Sequence, residues 1–164
     1  MGRSAAYWAT NRYPDPRQEP KAGAPYRDLS PPAASRFRRL REGLLDLDGV
    51  HEQVKHMGAS WRWAWEYAFG NRKVCWLHVM QNGISATFTV SDQEERRALG
   101  LAKLSAVIVN AIKCGQRTGP VRWCNMEFTD QKTADAFLGF ARRKLTWMAA
   151  DSPTSPMARR SLAG

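Results

Sequence analysis

The sequence lacks a long apolar run. Its longest, LSAVIVNAI at residues 104–112, contains Asn110, and it is far shorter than the roughly 18 residues that a membrane span needs. The chain also does not open with the basic-then-apolar pattern of a secretory signal. We therefore expect a cytoplasmic protein that does not contact a membrane.

Cysteine is also scarce. The three residues Cys75, Cys114 and Cys124 form neither a CxxC pair nor an even-numbered framework. Because disulfides are rare in the cytosol, we interpret these residues as reduced thiols.

Catalytic and metal-binding motifs are absent or incomplete. No P-loop, GxGxxG or GxSxG pattern occurs. The stretch HEQVKH is similar to a zinc-protease helix, but His51 and His56 are five residues apart, which turns them roughly 140° from each other on a helix. Cys75 and His78 are three apart on a predicted strand, so they face opposite sides and cannot form a nucleophilic pair. The sequence therefore predicts no catalytic residue, no metal and no cofactor, and an enzyme of unknown class is kept as the second alternative.

Acidic residues are few relative to basic ones, and the formal net charge is +10. Residues 1–41 hold nine basic and three acidic residues, and the first 32 residues contain six prolines, which exclude a continuous helix. We predict a flexible Pro/Arg-rich arm at residues 1–32, a single domain at 33–149 and a flexible tail at 150–164. A basic arm attracts phosphate-rich partners in a salt-dependent manner, so nucleic acid is a candidate partner.

The domain opens with apolar residues at helical spacing. Phe37, Leu40 and Leu44 predict a first helix, and after Gly49 the spacing within residues 50–57 predicts a second, shorter one.

Aromatic residues then occupy every second position of WRWAWEYAF, residues 61–69. This period of two is typical of a strand with one aromatic face. RKVCWLHVM at 72–80 and ISATFTV at 84–90 follow, and the QNG between them predicts a hairpin. Three antiparallel strands are therefore expected between residues 61 and 90.

The remaining elements have clear boundaries. SDQE at 91–94 is a capping box that starts a helix, which we expect to be interrupted near Gly100 and to continue to residue 112. VRWCNMEF at 121–128 is a fourth predicted strand, and Asp130 begins a last amphipathic helix.

The predicted order is α-β-β-β-α-β-α. It indicates an α+β fold with a four-stranded, mostly antiparallel sheet and helices packed on one face. We expect the aromatic face of the first strand to turn inward as core, and the alternative is an exposed platform that stacks single-stranded nucleic acid. Glu66 lies on the opposite face, so we expect it to face solvent; if that face were covered, it would be a candidate functional acid.

Five segments in this order resemble the bacterial and archaeal family called domain of unknown function 3788. They are the Trp-rich strand, RKVCWL, QNGISATFTV, IKCGQRTGPVR and ARRKL, within residues 44–148. The resemblance implies a compact α+β domain without an established activity. It also implies that the family carries similar residues at the positions of Trp61, Trp65, Arg72, Lys73, Lys113, Arg117, Arg122 and Lys144.

Together with Glu66, these eight residues form the predicted ligand site. Aromatic rings beside several cations suit an anionic or flat ligand. We therefore predict a non-catalytic domain that binds an anionic or aromatic small molecule or a partner protein. The alternative is a nucleic-acid-binding protein that uses the basic arm and the sheet aromatics.

Overall fold

A computed structural model describes residues 3–151 of the chain. Its helices are α1 Ala5–Trp8, α2 Ala24–Asp28, α3 Pro31–Leu45, α4 Gly58–Trp61, α5 Asp92–Leu99, α6 Ala106–Lys113 and α7 Gln131–Ala150. Its strands are β1 Val50–His56, β2 Trp63–Phe69, β3 Arg72–Met80, β4 Gly83–Ser91, β5 Gln116–Thr118 and β6 Val121–Phe128.

The strands form one antiparallel sheet in the order β1-β2-β3-β4-β6-β5. Met80 pairs with Gly83, which confirms the predicted hairpin at QNG. The prediction of an α+β fold is confirmed, but the prediction of four strands is wrong because β1 and β5 extend the sheet at its two edges.

Strand β1 replaces the second helix that we predicted over residues 50–57. Its seven residues pair with β2 along their whole length, from Val50 opposite Phe69 to His56 opposite Trp63. Alternate residues are half-buried, with Val50 and Val54 on the inner side. The same apolar spacing therefore fits a strand, and the open edge of β2 decides between the two.

The aromatic side chains of β2 face the helices. Trp65 and Tyr67 have no exposed surface, and Trp65 meets Phe37 of α3 edge to face at 5.7 Å. The prediction of an inward aromatic face is therefore confirmed for β2. Trp61 is the exception, because it is the last residue of α4 and not part of β2. Arg62 follows with a left-handed φ of 63°, so the side-chain alternation of β2 does not extend back to Trp61.

Helices α3, α6 and α7 cover this inner face. Phe88 of β4 contacts Phe137 and Phe140 of α7, and the side chain of Asp130 caps α7 by accepting from the backbone of Thr133. The predicted capping box at Ser91 is also present. The core therefore lies between these helices and one side of the sheet.

The segment predicted to be a flexible arm packs against the sheet. Trp8 and Asn11 are buried, and the backbone N–H of Arg12 donates to the carbonyl of Val79 at 3.0 Å. The indole of Trp65 in turn donates to the carbonyl of Ala22 at 2.9 Å. These contacts correct the prediction for residues 3–32, because Trp8 and Asn11 anchor the proline-rich segment by burial against the sheet. The predicted tail lies outside the described residues from residue 152 onward.

Candidate functional site: the tryptophan face of the sheet

The sheet side opposite α3, α6 and α7 carries a second set of aromatic residues. Side chains alternate along a strand, so β3 turns Cys75 and Leu77 into the core and Trp76 and His78 to the other side. We call this second side the tryptophan face; its members used below are Trp8, Trp61, Glu66, Trp76, His78, Ser85, Thr87, Trp123 and Asn125.

Three indoles form the centre of the tryptophan face. Trp76 and Trp123 stack with centroids 5.6 Å apart and planes 23° apart, and Trp61 meets both edge to face at 5.5 and 6.1 Å. β3 and β6 flank β4, whose small Thr87 pairs with Trp76 and leaves space for the rings to meet. Trp76 is 5% exposed, whereas Trp61 and Trp123 are half-buried. Two of the three indoles are therefore partly accessible to solvent.

A hydrogen-bonded row crosses the face beside these indoles. Nε2 of His78 lies 2.8 Å from Oγ1 of Thr87, which donates to Oδ1 of Asn125 at 2.8 Å. Burial lowers the pKa of His78 to about 3, and the charge of Arg3 acts in the same direction. The imidazole is therefore neutral at physiological pH.

Glu66 is covered, contrary to the expectation that it faces solvent. It is 4% exposed, its Oε1 accepts from Lys73 and its Oε2 accepts from the indole of Trp76, both at 2.9 Å. Burial raises the pKa of Glu66, but the hydrogen bonds from Lys73 and Trp76 and the nearby Lys55 outweigh it, so the pKa lies below its ordinary value. Glu66 is thus an ionised, fully partnered carboxylate and is poorly suited to act as a general acid.

The N-terminal segment covers part of the tryptophan face. Trp8 stacks on Trp61 at 5.7 Å with planes 25° apart and meets His78 edge to face at 4.8 Å. Tyr7 donates to Oγ of Ser85 at 2.6 Å. The side chain of Asn11 donates to the backbone carbonyl of Trp61 at 2.9 Å and so holds the chain at the residue that Trp8 covers.

The residues predicted for the ligand site do not form one group. Glu66 and Lys73 contact each other, and Trp61 lies on the tryptophan face, whereas Trp65 is in the core. Lys113 is exposed at the end of α6 and has no ion-pair partner among residues 3–151. The other predicted cations have partners of their own: Arg72 with the carbonyl of Met148, Arg117 with Asp92 and Glu95, Arg122 with Glu95 and the carbonyl of Gly115, and Lys144 with Glu94.

Sequence reasoning missed Trp8, Trp76, His78 and Trp123 as members of a site. The signal was present, because alternation in RKVCWLHVM and VRWCNMEF places Trp76, His78 and Trp123 on the side opposite the buried cysteines. Nothing in the sequence linked Trp8 to them, since that contact joins residues about seventy positions apart.

Neither a metal centre nor a membrane span is found in the described part of the chain. Residues 3–151 hold no group of three His, Cys, Asp or Glu side chains able to share a metal ion. No helix among them combines the length and apolar character needed to cross a bilayer. Scans against protein-family models, curated proteins and solved structures found no match to the chain, so the resemblance to domain of unknown function 3788 stays a prediction.

Proposed function

We propose that this protein is a non-catalytic binding domain that holds a flat aromatic ligand against Trp61, Trp76 and Trp123. One observation carries the proposal: three indoles gather on the sheet side that the long helices leave open, and two of them are half-buried rather than buried. Stacking and edge contacts between aromatic rings contribute favourable free energy in addition to that from the area that the rings bury. A planar ligand is therefore the chemistry that this surface favours.

The charges around the tryptophan face favour a ligand with little charge. Arg3, Lys55 and Lys73 supply three positive charges, and Glu66 and Glu127 supply two negative ones close by. The excess is a single positive charge. A ligand with one carboxylate fits this balance, whereas a polyanion gains little from it.

The titratable groups on both sides of the sheet support binding rather than catalysis. Cys75 and Cys124 are buried in the core, and burial raises the pKa of both thiols, that of Cys124 to about 12. The thiolate is the nucleophilic form of cysteine, so these residues are inert at neutral pH. Glu66 and His78 are held by the partners described above.

The test is a calorimetric titration with indole-3-acetate, a flat bicyclic ring with one carboxylate. Loss of one stacking ring costs roughly 1–3 kcal/mol, so we expect Trp123→Ala to weaken binding at least fivefold. Trp147→Ala is the matched control, because Trp147 is also half-buried but lies on α7 across the sheet. Equal affinities for the wild type and Trp123→Ala would refute the proposal.

A nucleic-acid-binding protein is the second candidate. It is favoured by the same aromatic rings, since antiparallel sheets bind single strands by stacking bases on exposed aromatics. Against it, Arg12 and Arg17 of the N-terminal segment already bind the carbonyl of Gln81 and the carboxylate of Asp15. Affinity for a single-stranded DNA oligonucleotide that falls steeply with salt would favour this candidate over the first.

A further inference from the structure

We propose that the position now filled by the Trp8 ring is a binding site for a flat heteroaromatic ligand that donates a hydrogen bond to Nδ1 of His78. The ligand displaces Trp8, so the N-terminal segment competes with it. We call this position the Trp8 slot; it lies against Trp61 and His78, whose rings also meet each other edge to face at 5.0 Å. The inference rests on the proposed function, to which it adds a specific subsite, a required ligand group and a competing segment of the chain.

The ring chemistry of the slot follows from its present occupant. The Trp8 indole stacks on Trp61 and presents an edge to His78. It is 7% exposed, so the slot encloses nearly the whole ring. A bicyclic aromatic ring is therefore the shape that the slot accepts.

The hydrogen-bonded row determines which proton His78 carries. Thr87 has one hydroxyl proton, and it donates this proton to Asn125. Nε2 of His78 must then be the donor to the Thr87 oxygen. A neutral imidazole carries one N–H, so Nδ1 of His78 is a bare acceptor.

This acceptor is buried and has no hydrogen-bond partner among residues 3–151. Buried polar atoms in proteins are nearly always paired, and an unpaired one calls for an explanation. Trp8 fills the slot by ring contact, but its indole N–H makes no hydrogen bond within the same residues. A ligand that supplies both the ring and a donor makes one contact more than Trp8 does.

The covering segment has an open side. A hollow of about 360 Å³ borders α1 between Tyr7, Thr10, Met80 and Glu127. The hollow lies beside the helix that carries Trp8, whereas the Trp8, Trp61 and His78 rings do not line it. The segment remains attached through Asn11 and Arg12, which hold β2 and the end of β3.

The experiment compares indole with benzofuran, which has the same bicyclic shape but an oxygen in place of the N–H. Both are titrated into the full chain by calorimetry, as the wild type, Trp8→Ala and Trp8→Ala/His78→Phe. We expect Trp8→Ala to bind indole at least tenfold more tightly than the wild type does. In that variant indole should bind at least fivefold more tightly than benzofuran, and the difference should vanish when His78 is also replaced.

Two further variants keep the result interpretable. Trp147→Ala removes a half-buried indole on the other side of the sheet and should not raise the affinity for indole. Trp8→Leu retains apolar packing if Trp8→Ala does not fold, and it should show a smaller gain with the same preference for indole. No gain from either Trp8 variant, or equal binding of indole and benzofuran, would overturn the inference.

The outcome also separates this inference from the proposed function. If indole-3-acetate binds in a Trp123-dependent manner but the Trp8 variants show no higher affinity for indole, the proposed function is supported and the Trp8 slot is refuted. If the Trp8 variants gain and discriminate while Trp123→Ala changes nothing, the binding of a flat aromatic ligand is supported, but its location is the Trp8 slot and the three-indole site is refuted.

Discussion

The burial of His78 makes a measurable prediction about acid stability. In the unfolded chain this histidine takes up a proton below its ordinary pKa of 6.5, whereas in the folded protein burial lowers the pKa to about 3. The unfolded state therefore binds more protons throughout the interval between these values. The free energy of unfolding that depends on neutral His78 is therefore present above pH 6.5 and is lost as the pH falls towards 3.

The size of the loss follows from the two pKa values. One pKa unit corresponds to 1.36 kcal/mol, so acidification from pH 7 to pH 4.5 should cost roughly 2–3 kcal/mol through His78 alone. Carboxylates with lowered pKa values, such as Glu66 and Asp28, add their own losses as the pH falls. The effect of His78 must therefore be isolated by a variant.

His78→Phe is that variant, because it keeps an aromatic ring at the position and cannot titrate. Urea unfolding followed by circular dichroism at pH 7 and pH 4.5 gives the free energy of unfolding of both proteins. The wild type should lose roughly 2–3 kcal/mol more than the variant does. Equal losses would mean that His78 takes up a proton as readily in the folded as in the unfolded state over this interval, and the lowered pKa of the folded protein would then be wrong.

Two more predictions concern the helical side of the sheet and use urea unfolding at pH 7. Lys144 and Glu94 form a buried ion pair at 2.9 Å; Lys144→Met should lower the free energy of unfolding by roughly 3–5 kcal/mol, because it leaves a buried carboxylate unpaired. Adding Glu94→Gln should restore most of this loss, since glutamine keeps the capping box without the charge; a double variant no more stable than the single one would contradict the explanation. Asp130→Ala removes the cap of α7 and should cost about 1 kcal/mol, while an unchanged midpoint would show that the cap contributes nothing.

The fold was largely predictable where local signals agree with the final contacts. The hairpin at QNG, the capping box at Ser91 and the cap at Asp130 depend on residues within a few positions of each other. Each is formed as predicted. Turn and cap chemistry acts over short distances, so a single sequence is enough to read it.

The errors fall where distant contacts decide. Residues 50–56 are compatible with a helix or a strand, and only the free edge of β2 selects the strand. The prolines before residue 33 predict an arm, whereas the sheet-side partners of Trp8 and Asn11 lie fifty or more positions further along the chain. The predicted ligand site is wrong in part for the same reason, since the residues adjacent in sequence do not indicate that Arg117 and Lys144 pair with carboxylates.

The two outer strands of the sheet have a consequence for self-association. An unpaired strand exposes backbone donors and acceptors on which a second chain can form a continuous sheet, and proteins oppose this with short or charged margins. Here β5 has only three residues, and on β1 the outward positions are the polar His51, Gln53 and Lys55. Both margins therefore discourage fibril-like growth, and a replacement such as Lys55→Val would remove one of these safeguards.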